Sequence, residues 1–322
     1  MFGFAFFRSF KYKIVTHARV FSLKPKFEIS ENQGLFLANS FHFMNKNFGY
    51  ENMCLWTKIK EEKIQLPIKN EKNINKVTDV SEVNNVNKGL QPLVQNIDFD
   101  FMESFIEELE KEKIGKLNNY LEVTWLKNYT LTLEEEKVLV DFENGKFEWG
   151  EFKLGDLFEK INTNKLPFKA NDLPAEQTNK YNLPCLTSSF KNQGLNYFVP
   201  KDNATILKNV ISLPSNSDIY RAYFQSREFT ILSDAYAINW IYNNDKLSSN
   251  QYLFTVPCIN KVTDLSIYSY KNKLWGWNVV RNKYIELPTK NNQPDYKIIE
   301  TLISAIQKMV IKDVVEYVEG KV

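Results

Sequence analysis

The chain has 322 residues, which exceeds the roughly 100–200 residues of a usual domain, so two core-forming units are expected. Its hydrophobic content of 43 % and aromatic content of 14 % exclude a disordered chain and are typical of a globular protein. A net charge of +2 gives by itself no argument for nucleic-acid binding, and three distant cysteines without a CxxC pair fit neither a disulfide framework nor a zinc site.

The N-terminal segment carries a short apolar run at residues 2–7, which ends at Arg8 and is followed by Lys11 and Lys13. The run is too short to cross a membrane, and no small-residue cleavage site follows it. Together with the unpaired cysteines, this pattern predicts a cytoplasmic protein that has no membrane segment and no export signal.

An internal repeat begins in the same region. Residues 3–9 (GFAFFRS) match residues 220–226 (YRAYFQS) at an offset of 217, and residues 32–36 (NQGLF) match residues 250–254 (NQYLF). Such self-similarity indicates two copies of one structural unit. We expect the first copy to lack its front half, because the counterparts of residues 149–218 are not in the sequence.

The repeat continues to the end of each copy. Residues 64–70 (IQLPIKN) match residues 285–291 (IELPTKN) at an offset of 221, whereas residues 102–106 (MESFI) match residues 299–303 (IETLI) at an offset of 197. The change of offset from 221 to 197 means that the first copy holds 24 additional residues. They lie in a Lys/Asn/Val-rich run that we interpret as an exposed, mobile linker.

These features predict a domain organisation in chain order. It comprises the C-terminal half of a first unit (1–68), a flexible linker (69–97), a first long helix (98–123), a connector (124–147), a complete second unit (148–288) and a second long helix (292–318).

Apolar residues at helical spacing define the two long helices. The stripe residues that we expect to serve in helix pairing and partner binding are Met102, Phe105, Ile106 and Leu109 in the first helix and Ile299, Ile303, Ile306 and Val310 in the second. At ~1.5 Å per residue each helix would be close to 40 Å long. We predict that they pair as an antiparallel spacer.

The units themselves have the pattern of an α/β fold with a mixed, curved sheet and short helices. Segments rich in β-forming residues, bounded by Asn, Pro, Gly or Ser, predict strands at 185–187, 206–207, 210–213 and 235–241. Short helices are expected at 153–158 and 249–255.

Catalytic and cofactor motifs are missing from the sequence. His17 and His42 are its only histidines, no GxxxxGKT/S loop is present, and neither Asn-Pro-Pro-Tyr nor Asp-Pro-Pro-Tyr occurs. The acidic run 134–136 is interpreted as part of a solvated helix rather than as a nuclease metal site. We therefore expect no catalytic residue, metal or cofactor.

Several short motifs nevertheless resemble one family in their order along the chain. They are residues 149–159 (WGEFKLGDLFE), 186–189 (LTSS) with 192–194 (NQG), 222–225 (AYFQ) with 233–234 (SD), and 285–288 (IELP) before a long helix. This set resembles the target-recognition domains of type I restriction-modification specificity subunits. It is also similar to the specificity subunits of some type II enzymes.

The resemblance implies a fold and a function. Each target-recognition domain would read one half of a split double-stranded DNA target. The long helices would hold the two domains at a fixed spacing and dock DNA methyltransferase subunits, with a restriction/translocase subunit as a further partner. Such a subunit is non-catalytic.

Readers of DNA must present base-recognising and phosphate-binding side chains on loops. The resemblance therefore implies DNA contacts by Ser188, Ser189, Lys191, Asn192 and Gln193 in one loop, by Asn216, Ser217, Tyr220 and Arg221 in another, and by Lys271 and Lys273. The alternatives are a capped turn for the first loop, a plain surface residue or a structural ion pair with Asp218 or Asp234 for Arg221, and solvated loop lysines.

Other functions fit the same features. The chain could be a truncated remnant that acts only as a methyltransferase-binding scaffold, a half-site reader that dimerises with itself, or the specificity subunit of a bifunctional type II system. Retention of both long helices favours partner binding in each of these alternatives.

Overall fold

The computed structural model describes residues 3–14, 20–69, 78–79, 94, 96–274 and 276–321. Two compact units are present: the first comprises residues 1–124 and 316–322, and the second comprises residues 125–315. Each unit mixes helices with short strands, so the predicted α/β fold class is confirmed.

The first unit contains mainly helices. Its elements are α1 (Glu31–Ser40), α2 (Trp56–Ile59), β1 (Gln65–Leu66), β2 (Thr78–Asp79) and the long helix α3 (Phe99–Val123). Strands β1 and β2 pair antiparallel. Leu37, Leu66 and Met102 form one buried cluster, which places one face of α3 against α1.

The second unit carries most of the strands. Its elements are α4 (Leu133–Glu143), β3 (Trp149–Lys153), α5 (Leu154–Leu157), β4 (Phe158–Lys160), β5 (Leu183–Leu186), β6 (Leu195–Val199), β7 (Val210–Pro214), β8 (Tyr223–Gln225), β9 (Thr230–Ile231), β10 (Ala235–Trp240), α6 (Ser249–Thr263), α7 (Trp277–Val280), β11 (Tyr284–Lys290) and β12 (Gln293–Pro294). The last helix, α8 (Tyr296–Glu319), follows β12.

The described residues of this unit form three sheets. The largest is antiparallel with the order β4-β10-β7-β8, the second has the order β12-β11-β3, and the third, β6-β5-β9, is mixed because β5 and β9 run parallel. The main core packs α5 and α6 against these strands through fully buried side chains such as Leu157, Ile238 and Ile259.

Three predicted helix or strand bounds need correction. Residues 206–207 do not form a strand, because Leu207 makes only an isolated bridge to Phe229. Helix α6 continues beyond residue 255 to Thr263, despite Pro257 in its interior. The second long helix does not begin at 292, because Gln293–Pro294 forms strand β12 and α8 starts at Tyr296.

The two copies of the repeat differ at one hairpin. In the second unit Lys290 pairs with Gln293 across a turn at Asn291 and Asn292, which have φ values of 54° and 59°. At the matching positions of the first unit, the Lys69 backbone N–H donates to the carbonyl oxygen of Asn96 at 2.7 Å. The additional residues of the first copy therefore replace a two-residue turn.

The linker predicted at 69–97 falls on this insertion. Residues 70–77, 80–93 and 95 lie outside the described residues. The ends of the segment are held in backbone pairing, because Ile68 and Ile97 form an antiparallel bridge. The prediction of a flexible linker over residues 69–97 is therefore wrong at the two ends of that range.

A matched set of hydrogen bonds supports the repeat. In the first unit, Ser30 and Asn32 at the start of α1 both donate to the carboxylate of Glu103 on α3, the Asn32 bond being 2.8 Å long. In the second unit, Ser248 and Asn250 donate in the same way to Glu300 on α8, with 2.7 Å for Asn250. Each long helix is thus fastened to its own unit by one glutamate.

Substitution of Glu300 by alanine is expected to destabilise the second unit. The change leaves the half-buried donors of Ser248 and Asn250 without their acceptor, which costs about 1–3 kcal/mol. Urea unfolding measures the free energy, with the exposed Asp313→Ala on the same helix as the control. Equal stability of the two variants would contradict a fastening role for Glu300.

Candidate nucleic-acid interface

The first candidate DNA-contacting loop connects β5 and β6. Its ends are closed by the Thr187 N–H, which donates to the Gly194 carbonyl at 3.0 Å. Asn192, Gln193 and Gly194 have consecutive positive φ values of 46°, 54° and 91°. Non-glycine residues adopt this conformation at an energetic cost, and such strain clusters at functional sites. The loop exposes Lys191, Asn192 and Gln193.

One of the two serines of this loop stabilises a turn within it. Ser188 and Ser189 are half-buried, and the Ser189 hydroxyl accepts from the Lys191 N–H at 3.1 Å. The predicted capped turn is therefore present at Ser189. It directs the following polar residues away from the core, so the structural and binding interpretations are compatible.

Two residues of strand β8 hold the loop, and the sequence interpretation missed both. The Tyr223 hydroxyl donates to the Phe190 carbonyl at 3.0 Å. The Gln225 amide donates to the Gln193 carbonyl at 3.3 Å and to the Ser212 hydroxyl at 3.0 Å. Burial raises the pKa of Tyr223, so its hydroxyl keeps the proton that it donates.

Arg221 lies two residues before Tyr223 in the chain. Its guanidinium donates to Asp264 at the C-terminal end of α6, with 2.7 Å from Nε and 2.7 Å from Nη2 to Oδ2. Hydrogen bonding to Asp264 raises the pKa of Arg221, and the side chain also interacts with the Tyr223 hydroxyl. The predicted ion-pair partners Asp218 and Asp234 were wrong, but half of the Arg221 side chain remains exposed.

A second group forms around Tyr270, which the sequence interpretation also missed. The Asn216 amide donates to the Tyr270 hydroxyl at 3.3 Å, and the Lys273 ammonium lies 4.9 Å from the centre of the Tyr270 ring. The Tyr270 backbone N–H donates to Asp218 at 2.9 Å. Two predicted contact residues, Asn216 and Lys273, are therefore brought together, and Lys271 is exposed close to them in the chain.

Two predicted contact residues are not available to DNA. Tyr220 is 2 % exposed and packs in the core against Tyr268, with ring centroids 6.1 Å apart. Ser217 is also buried, and its hydroxyl accepts from the Ile219 N–H. Their prediction as DNA contacts was wrong, because both side chains face the interior.

The predicted partner-binding stripe divides into buried and exposed residues. Met102, Ile106 and Ile299 are buried, and Ile303 is half-buried. The residues of the stripe that stay exposed are Phe105 and Leu109 on α3 and Ile306 and Val310 on α8. The structure therefore leaves apolar area open along both helices.

Two cysteines are buried, and one histidine contacts the backbone. Burial raises the pKa of Cys185 to about 12 and that of Cys258 to about 11, so both thiols stay protonated at neutral pH. His42 contacts the Ala5 carbonyl at 3.2 Å, and His17 lies outside the described residues. Within the described ranges, no group of three His, Cys, Asp or Glu side chains could hold a metal ion, and no helix has the length and apolarity of a membrane span.

Comparison with known families gives the class of this protein. The sequence model of the type I restriction modification DNA specificity domain matches residues 1–119 and 146–317. These ranges cover most of the chain, so the chain belongs to that family.

Individual relatives are more distant. The chain is similar to the specificity subunit S.BcgI of a type II restriction enzyme from Heyndrickxia coagulans, with 24 % identity over 292 residues that cover 89 % of this chain and 70 % of the relative. The S subunit of a type I restriction-modification system from M. genitalium shares 12 % identity and a TM-score of 0.40, covering 89 % of this chain and 67 % of that one. The HsdS subunit from Thermoanaerobacter tengcongensis shares 11 % identity and a TM-score of 0.33, covering 70 % and 53 %.

Proposed function

We propose that the chain is a specificity subunit of a restriction-modification complex, and that its second unit reads a short sequence in double-stranded DNA. The observation that carries this proposal is the loop at 187–194, which exposes a lysine, an asparagine and a glutamine from a conformation held by strand β8. Family membership supports the same function.

The polar groups have the chemistry of base and phosphate recognition. Asn192 and Gln193 each offer an amide, which can pair with the N6 and N7 edge of adenine in the major groove. Arg221 offers a guanidinium, which can pair with the O6 and N7 edge of guanine, while Lys191 and Lys271 fit phosphate contacts. The subunit itself would be non-catalytic, without cofactor or metal, and cytoplasmic, and the methyltransferase subunit would modify the DNA.

Selection from a randomised duplex pool tests this function. At ~150 mM salt, non-specific phosphate attraction is weakened, so an enriched sequence reports base recognition. The full chain is used with and without its neighbouring methyltransferase subunit. We expect one short defined half-site, whereas co-purification with the methyltransferase without any enriched sequence would leave only a scaffold function.

The exposed part of the helix stripe is the proposed docking surface for the methyltransferase. Val310 is 72 % exposed on α8, so Val310→Asp should preserve the fold while it introduces a charge into an apolar contact. We expect roughly tenfold weaker capture of the methyltransferase in a pull-down. The control is Ile267→Asp, at a 62 % exposed residue in a loop, and equal loss in both variants would contradict the assignment.

A type II system is the second candidate, because the curated relative is a specificity subunit of a type II restriction enzyme. In a bifunctional system one partner would carry both modification and cleavage, whereas in a type I system a separate restriction/translocase subunit would join. Mass spectrometry of the complex purified from its native cells distinguishes these assemblies. Light scattering of the chain alone tests the homodimer that a self-pairing half-site reader requires.

A further inference from the structure

Strand β8 holds the loop that carries Asn192 and Gln193 and follows directly after Arg221 and Ala222 in the chain. Its residues alternate between faces, as strand geometry requires. Phe224 points into the core and stacks on Tyr252 with ring centroids 4.9 Å apart. Tyr223 and Gln225 lie on the opposite face, and Arg221 precedes them at the same two-residue spacing. The strand is therefore anchored in the core on one face and holds the candidate interface on the other.

Gln225 links the loop to the central sheet. Its amide nitrogen donates both to the Ser212 hydroxyl on β7 and to the carbonyl of Gln193. Gln193 is the second of three consecutive residues with positive φ. A glutamine rarely adopts a positive φ, because this backbone conformation costs energy. The hydrogen bond from Gln225 therefore stabilises the loop at a strained residue.

Tyr223 links the loop to Arg221. Its hydroxyl donates to the Phe190 carbonyl and also interacts with the guanidinium of Arg221, which Asp264 holds from the other side. The Tyr223 hydroxyl thus contacts the loop that carries Asn192, and the Tyr223 side chain interacts with Arg221. A displacement of Tyr223 would change the distance between the two readers.

We propose that Tyr223 and Gln225 are positioning residues that set base selectivity without contacting a base. The inference rests on the proposed function of the second unit as a DNA reader. Bidentate hydrogen bonds to base edges require a fixed position and angle, whereas attraction to phosphates acts over longer distances and tolerates movement. Loosening the loop therefore lowers selectivity and leaves non-specific affinity almost unchanged.

The test uses two variants that each remove hydrogen-bonding groups at nearly constant shape, Tyr223→Phe and Gln225→Met. Tyr284→Phe, at an exposed tyrosine on β11, is the control. Fluorescence anisotropy with the full chain measures binding to the duplex enriched by the unmodified chain, to the same duplex with one base pair changed, and to an unrelated duplex. Thermal unfolding verifies that each variant is folded.

We expect the ratio of affinities for the enriched and altered duplexes to fall roughly tenfold in either variant, with binding to the unrelated duplex within about twofold of the original. If Tyr223→Phe lowers the melting temperature strongly, the affinity ratio of Gln225→Met alone tests the inference. An unchanged ratio, or an equal fall in Tyr284→Phe, would overturn the inference while leaving the reader function intact. Failure of the unmodified chain to enrich any sequence would instead remove the proposed function, and the inference with it.

Discussion

Replacement of Lys308 by methionine is expected to lower the free energy of unfolding by about 3 kcal/mol. Lys308 on α8 donates to the carboxylate of Glu135 on α4 at 2.8 Å, and the Ser304 hydroxyl donates to the same carboxylate at 2.7 Å. Glu135 is buried, so loss of Lys308 leaves its negative charge in the interior without the opposite charge that pairs with it. Breaking a buried ion pair in this way costs several kcal/mol. We expect a cost at the lower end of this range of free energies, because 20 % of the Lys308 side chain is still exposed to solvent.

A second ion pair between the same two helices provides the control. Lys297 and Glu134 lie 2.7 Å apart with both side chains largely exposed, so Lys297→Met should cost at most about 1 kcal/mol. Glu135→Met combined with Lys308→Met should recover much of the stability, since no unpaired charge remains. Urea unfolding at pH 7 measures all four proteins, and equal effects of Lys297→Met and Lys308→Met would contradict this account.

The same carboxylate predicts a dependence of stability on pH. Burial alone raises the pKa of Glu135, but hydrogen bonds from Lys308, Thr132 and Ser304 outweigh it and lower the pKa from 4.5 to about 2. Since the folded pKa is lower than the unfolded one, the contribution of roughly 3 kcal/mol is fully present above pH 4.5 and is lost as the pH falls to about 2. Glu135→Gln should flatten this part of the stability profile.

Substitution of Arg221 by alanine is expected to weaken binding to the enriched duplex by ~1–3 kcal/mol. The half-exposed guanidinium is fixed by Asp264, so its remaining donors are already oriented before DNA arrives. If Arg221 reads a guanine, the loss should be confined to one base pair of the target, where all four bases should then bind similarly.

Salt dependence separates base reading from phosphate binding by Arg221. A phosphate contact would weaken all duplexes uniformly and reduce the slope of log affinity against log salt by about one. Arg227→Ala, at an exposed arginine just beyond β8, removes the same charge and is the control. A uniform loss with a reduced slope in Arg221→Ala would assign this residue to the DNA backbone.

Local patterns allowed the helices and the repeat to be predicted. The apolar spacing of α3 and α8 is a property of neighbouring residues, and the matched bonds of Glu103 and Glu300 fall on the positions that the repeat aligns. Residues 220–225 have the two-residue alternation that is typical of a strand. The structure buries Tyr220 and Ala222 and exposes Arg221 between them. Attention to this period of two would have placed Tyr220 in the core and Tyr223 on the face that carries the candidate interface.

Contacts between distant residues could not be predicted from the sequence. The run at 134–136 was interpreted as part of a solvated helix, but Glu135 is buried because its partners Ser304 and Lys308 lie 169 and 173 residues further along the chain. The partner of Arg221, Asp264, is 43 residues away, on the end of a helix that is longer than predicted. In both cases tertiary packing decides which charges are paired.

Mapping of modified bases in a genome tests most directly whether this chain specifies a DNA target. The full chain is expressed with the methyltransferase subunit proposed as its partner in cells without a related system, and modified positions are read by sequencing. We predict that modification is confined to sites sharing one defined sequence, and that Arg221→Ala relaxes one position of that sequence. Modification without a shared sequence, or a shared sequence that persists when this chain is omitted, would contradict the account.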